Sequence, residues 1–354
     1  MPSNSKGFFS VNLDEFYKAV DLGMNEACLY LIYSCGTGKK GDLTAWSVTA
    51  LTKYTEISRR RGKLAQQRLL ESGITEIIKT GKGGRHPHTR INQSECSRHA
   101  WLPMTFITGA GKEVAPIEKL RRTGEPLALK LLIAFYDYCN IAEEGGIQTD
   151  VYEACYESDN IGSHKFFSIF GFKGGSGRIH WEPIFHCLSE EEKIDLRSEG
   201  KADTAKFWDR LNILQELGLI YEVPTLFDSE DGCPIVSIKD PFTNEAYSEL
   251  CSEELKEQLP ELYQKLIGTY DYWLLVPKDY PNAVLKGVFV PLYRQHTELV
   301  RAGYAKNKER YEAYLEILER GKNKATDESA TEYIKASGDD IIAASNPFAS
   351  IDDF

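Results

Sequence analysis

TEISRRRGKLAQQRLLESGITEIIKTGKGGRHPHTRI, residues 55–91, holds three successive arginines, a leucine-spaced run and a glycine-rich basic segment. Ser58 is suited to cap a helix, and Gly73 to close it in the left-handed conformation about four turns later. At 100° per residue, Ser58, Gly62, Ala65 and Leu69 share a narrow inner sector of small side chains. Arg59, Arg60, Lys63, Gln66 and Gln67 share another, and Leu64 and Leu70 lie outside the inner one. Beyond Gly73, the β-branched ITEIIKT predicts a strand, GKGG a tight turn, and RHPHTRI a returning strand.

Upstream, NEACLYLIYSCG predicts a buried helix through Ala27, Leu29, Leu31, Ile32 and Cys35 that ends at Gly36. GDLTAWSVTALTKYT spaces Trp46, Val48, Leu51 and Tyr54 as a short amphipathic helix does, with Thr44 as the expected N-cap. Helix, turn, helix, hairpin is the order of a winged helix, expected over residues 1–91.

The chain has 354 residues and a formal net charge of -11, so its average field repels phosphates and any polyanion site must be local. Lys40 to Arg90 carries eleven Lys or Arg against four acids, about +7, which leaves roughly -18 for the remainder. Duplex DNA asks for a helix with donors on its outer face and basic flanks for phosphates. Arg59, Arg60, Arg61, Lys63, Gln66 and Gln67 are the expected groove-facing residues. Lys79, Lys82, Arg85, His86, His88 and Arg90 are expected to follow the backbone or minor groove as a wing.

Downstream, residues 92–123 read as a connector. Residues 124–295 then repeat the plan of the first domain: NILQELGLIYEV places a helix end, a glycine and a strand start where RLLESGITEI does. A second winged-helix-like domain follows from that, with TDVYEACYE as its short second helix and a surface insertion at about 157–202. Its third helix is near neutral, which suits self-association better than DNA. A C-terminal helix is expected over 296–322, and a flexible acidic tail over 323–354, where NPFASIDDF could recruit a protein partner. The expected fold class is therefore mainly α with small β-wings, an α+β chain of tandem winged helices plus a C-terminal helix and a disordered tail.

Other chemistries fare poorly. CGTGKKGD fails as a phosphate loop because Tyr33 holds the first glycine's place and Lys40 the hydroxyl's. GFKGGSGRIH reads as a flexible or hairpin loop. His180, His186 and Cys187 lack the further ligands of a zinc site, and eight cysteines without a CxxC pair read as reduced thiols. No cofactor, metal or enzymatic activity is expected. The start of the chain lacks a signal-peptide pattern and no apolar run is long enough to span a membrane, so a cytoplasmic location is expected.

Residues 8–91, especially AWSVTALTKYTEISRRRGKLAQQRLLESG at 45–73, resemble the winged helix-turn-helix domains of bacterial plasmid, phage and mobile-element replication proteins and regulators. The resemblance covers about a quarter of the chain. It implies double-stranded DNA as partner, nucleoid association, and a role in replication initiation or transcription regulation, the tandem layout favouring replication. Gly62 departs from the family's apolar residue at that place, which predicts a looser recognition helix. The alternative is an adaptor whose basic face serves an acidic protein and whose DNA binding is weak and sequence-blind.

Overall fold

The computed structural model describes residues 7–37, 42–79, 88–92, 98–140, 146–147, 152–164, 166–179, 205–239, 247, 260–291 and 298–327. The chain divides into two compact units: Met1–Cys139 with His180–Tyr221 and Pro291–Val300, and Asn140–Ile179 with Glu222–Val290 and Arg301–Phe354. No described helix is long and apolar enough to cross a membrane.

The first unit runs β1 (Phe8–Asn12), α1 (Leu13–Leu22), α2 (Met24–Cys35), β2 (Leu43–Thr44), α3 (Val48–Thr55), α4 (Arg59–Glu71), β3 (Thr75–Lys79), β4 (His88–Ile91) and β5 (His99–Pro103). Helices α5 (Thr105–Thr108), α6 (Pro116–Thr123), α7 (Pro126–Asp137) and α8 (Ala205–Glu216) complete it. Helix α2 is its centre. Every residue from Glu26 to Cys35 is buried, as a helix apolar all round requires, and Ser34 satisfies its hydroxyl by donating to the Tyr30 carbonyl at 3.0 Å. Asn12 ends β1 and caps α1 by accepting from the Glu15 amide at 3.1 Å.

Around α2, strands β2, β4 and β3 form a three-stranded antiparallel sheet in that order, with Thr44 opposite Thr89 and Thr75 opposite Ile91. Helix, strand, helix, helix and hairpin thus follow one another from residue 24 to 91, the element order of a winged helix. The cap of α3 is Ser47, which accepts from the Thr49 amide, and not Thr44. Thr44 is buried in β2, where its hydroxyl accepts from the Trp46 amide.

The stretch expected to be a plain connector is structured. Pro116 sits at the first turn of α6 and Gly124, at φ 73°, closes it. Lys119 of α6 donates to the Leu217 carbonyl at 3.3 Å, a cation at the C-terminal end of α8.

The second unit overturns the expected fold class. Its strands β8 (Tyr152–His164), β9 (Phe167–Ile179), β10 (Ile220–Phe227), β11 (Pro234–Ser237), β12 (Tyr272–Pro277) and β13 (Val284–Pro291) build a curled, antiparallel, six-stranded sheet in the order β11-β10-β13-β8-β9-β12. A two-stranded ladder of β6 (Cys139–Asn140) and β7 (Gly146–Ile147) precedes it. Ile169, Phe172, Leu226, Val236, Leu274, Val276 and Leu285 fill the core, with Leu266 of α9 (Pro260–Ile267) and Tyr314 and Leu318 of α10 (Glu298–Asp327) packed into it.

The chain is therefore α+β with a large sheet, not mainly α with small wings, and among the described residues of 124–295 a six-stranded sheet stands where the small wing of a second winged helix is expected. TDVYEACYE, expected as a helix, supplies β8, and GFKGGSGRI, expected as a loop, supplies β9. Residues 157–164 and 167–179 are hence strands inside the sheet, between β13 and β12, and not a surface insertion; residues 180–204 lie outside the described residues, His180, His186 and Cys187 among them. The glycine at 171 is needed inside the strand: a Cβ there would come 2.6 Å from the Tyr270 ring. The expected tail falls largely on residues 328–354, which also lie outside the described residues.

Candidate nucleic-acid interface

The site is built on the turn between α3 and α4. Thr55 ends α3, Glu56 takes the left-handed conformation at φ 57°, Ile57 is buried, and Ser58 caps α4 by accepting from the Arg61 amide at 3.4 Å. Glu56 is the one non-glycine residue with positive φ among the described residues, a conformation that costs an L-residue about 1–2 kcal/mol. Its carboxylate accepts from Arg122 at 3.3 Å and from Arg121 at 3.5 Å, both on α6.

Helix α4 buries Gly62, Ala65 and Leu69, three of the four inner-sector residues, while the capping residue Ser58 is exposed. A Schellman pair closes the helix: the Gly73 amide donates to Leu70 and the Ile74 amide to Leu69, each at 3.1 Å, with Gly73 at φ 75°. The far side is open. Arg59, Arg60, Arg61, Lys63, Leu64 and Gln67 are all exposed, and Arg59, Arg60, Lys63, Leu64 and Gln67 line an open concavity of about 510 Å³. No carboxylate of the described residues pairs with Arg59, Arg60, Arg61 or Lys63.

Two neighbours on the helix are differently employed. Gln66 is half-buried and donates to the Tyr33 hydroxyl at 2.9 Å, so it joins α4 to α2 and does not face outward with Gln67. Burial pushes the Tyr33 phenol up to about 12, which keeps it protonated as Gln66's partner. Arg68 forms an ion pair at 3.1 Å with Glu26, whose side chain is 4% exposed in the first turn of α2. Gln67 donates to Glu71 at 2.7 Å on the outer face itself.

The wing is described at its base. His88 is half-buried and stands opposite Lys79 in the β3–β4 register, beside an irregularity between Ile77 and Lys79. Arg90 pairs with Glu76 at 3.6 Å and Asp42 at 3.9 Å, an exposed network across the three strands that takes up its charge. Lys82, Arg85 and His86 lie outside the described residues.

Sequence reasoning missed Leu64, Arg121 and Arg122. Leu64 fits no inner sector by its spacing, and the structure places it on the exposed outer face with Arg59, Arg60, Lys63 and Gln67. The arginines of PIEKLRRTG were placed in a connector, although proline at the start and glycine at the end mark a helix. Comparison with protein-family models, with curated proteins and with solved structures finds no match for the chain.

Proposed function

We propose that this chain binds double-stranded DNA in a sequence-specific manner and that α4 enters the major groove. The observation that carries the reading is the outer face of α4. Four cations without carboxylate partners among the described residues project from the second helix of a helix-turn-helix, in a chain whose overall charge is negative. A helix with side chains is ~10–12 Å across, and the groove is ~12 Å wide. The thirteen residues of α4 make it ~20 Å long.

Division of labour follows from chemistry. Arg60 and Gln67 project from the middle of the face, where arginine offers a fork to guanine and glutamine an amide to adenine. Arg59, Arg61 and Lys63 flank them and suit phosphates. The Arg121–Arg122 pair stands beside the turn near the start of α4, held by Glu56 and, for Arg122, by Glu118 as well. Replication initiation and transcription regulation both need such contacts, and a bacterial, cytoplasmic setting suits either. The second unit, with self-association as its proposed task, is where the two would differ.

The test is fluorescence anisotropy of the full chain with duplexes selected from a random pool, against unselected duplex, across a salt series. Salt-sensitive preference for a selected sequence supports the reading. Binding that is weak and indifferent to sequence sinks it and favours the adaptor, whose basic face meets an acidic protein.

A further inference from the structure

Six large apolar side chains are notably exposed among the described residues: Leu43, Leu64, Ile77, Trp101, Val114 and Ile267. A single exposed leucine is ordinary on a protein surface. What sets Leu64 apart is its company. It is 52% exposed in the interior of α4, and it lines the same concavity as Arg59, Arg60, Lys63 and Gln67.

Arg60, Leu64, Gln67 and Glu71 follow one another at intervals of four, three and four residues, so they form a single stripe along the outside of the helix. The stripe lies opposite Gly62, Ala65 and Leu69, which face the core. An arginine, a leucine, an amide and a carboxylate in line present a donor fork, an apolar knob, a mixed donor and acceptor, and an acceptor. The edges of the base pairs in the major groove offer complements to each: guanine acceptors, the thymine C5-methyl, the adenine pair of groups, and the cytosine amino group.

We infer that Leu64 reads thymine through its C5-methyl group, an assignment that rests on the DNA-reading role proposed above. The methyl is the apolar feature of that groove, and Leu64 is the apolar feature of the stripe. Flanked by Arg60 one turn before and Gln67 one turn after, its side chain approaches base edges where the helix lies deepest. Leucine has no donor or acceptor, so it discriminates by shape and desolvation: it covers a methyl and leaves the cytosine amino group without a hydrogen-bond partner.

The assignment has a test at the scale of one methyl group. In a duplex selected by the full-length protein, each thymine is replaced in turn by deoxyuridine, which pairs identically and lacks the methyl. At one position the wild-type chain should lose about fourfold in affinity, the transfer value of one buried methyl-sized group. The Leu64→Ala variant should bind the thymine duplex more weakly and show no difference between thymine and uracil there. Its melting temperature should match the wild type, because the side chain is exposed.

Equal affinity for every uracil duplex overturns the assignment while leaving DNA reading intact. So does a uracil effect that persists unchanged in Leu64→Ala, which would place the methyl against another residue. Failure to select any duplex at all overturns the DNA-reading role and the assignment with it.

Discussion

Gly62 stands so close to Val48 that a Cβ on residue 62 would lie 2.6 Å from Val48 Cγ1 and 3.0 Å from Leu51 Cδ2. The glycine does not loosen α4, as its departure from the resembled family suggests; it lets α4 approach α3. Alanine at 62 gains roughly 1 kcal/mol of helix propensity, and overpacking a tight contact costs about 1–3 kcal/mol. The branched Val48 side chain, fixed at χ1 in a helix, has little room to yield. Gly62→Ala should therefore lower the urea midpoint, and adding Val48→Ala should recover part of the loss. A midpoint raised by Gly62→Ala alone would mean that the helices are not in contact at this point.

Glu56 combines a strained backbone with two ion pairs, one to the exposed Arg122 and one to the half-buried Arg121. Glu56→Gly relieves about 1 kcal/mol of left-handed strain and removes pairs worth about 0–1 kcal/mol each, so stability should change little. Its effect on DNA should be larger. With the carboxylate gone, Arg121 loses its carboxylate partner and Arg122 keeps only Glu118, so more cationic charge is left for phosphates, and affinity for random duplex should rise at low salt with a steeper salt dependence. Glu56→Gln, which keeps the strain and removes the charge, should share the DNA effect and separate it from the backbone. Unchanged slopes in both variants would place α6 away from the DNA.

How far the sequence could be read depended on how local each signal was. The turn, the cap at Ser58, the buried trio of α4 and the stop at Gly73 all arise within about four turns of chain, and residue spacing carries them. The parallel between RLLESGITEI and NILQELGLIYEV is also local, and the structure shows it. Gly218 at φ 64° closes α8 through the same pair of hydrogen bonds, Gly218 to Gln215 and Leu219 to Leu214, that Gly73 and Ile74 make. The paths then separate. β3 pairs with β4 in a three-stranded sheet, whereas β10 pairs on one side with β11, the strand that follows it, and on the other with β13, which begins some sixty residues later. Pairing across such distances leaves no spacing to count; β8 and β9, by contrast, pair with each other as neighbours in sequence, and what hid them is composition, the glycines of GFKGGSGRI reading as a loop. Gln66 was misplaced for a subtler reason: it lies at the border of the inner sector, and Tyr33, thirty-three residues upstream, decides which way it turns.

Arg60 and Arg68, two turns apart on one helix, should behave oppositely when truncated. Arg60→Ala with Lys63→Ala removes exposed groups, so stability should stay within about 0.5 kcal/mol. Affinity for a selected duplex should fall at least about tenfold, since a fork to guanine alone is worth about 1–3 kcal/mol. Arg68→Ala instead strands the buried Glu26 carboxylate, and removing one partner of such a pair leaves a charge that burial penalises. Stability should drop by about 1–3 kcal/mol, with Glu26→Gln in the same chain restoring part of it. Denaturant melts and anisotropy on the same preparations check both arms.

Cys28 and Cys35 line the inside of α2, where burial pushes each thiol from the ordinary 9.0 up to about 12. The thiolate is the reactive form, so both should resist alkylation at pH 8 in the folded chain and react once urea unfolds it, while the exposed Cys233 reacts in both states. Peptide mass spectrometry distinguishes the three. The same shift sets a direction for stability against pH. A folded-state value above the unfolded one means that the unfolded chain releases the proton first, so the stabilisation is complete below about 9 and is lost as pH rises toward about 12. Between pH 9 and 11 the urea midpoint of the wild type should fall more steeply than that of a Cys28→Ala, Cys35→Ala chain, whose lower starting stability reflects the small cavities it carries. Parallel slopes would show that the two thiols ionise as readily folded as unfolded, and that α2 is not the sealed centre of the first unit.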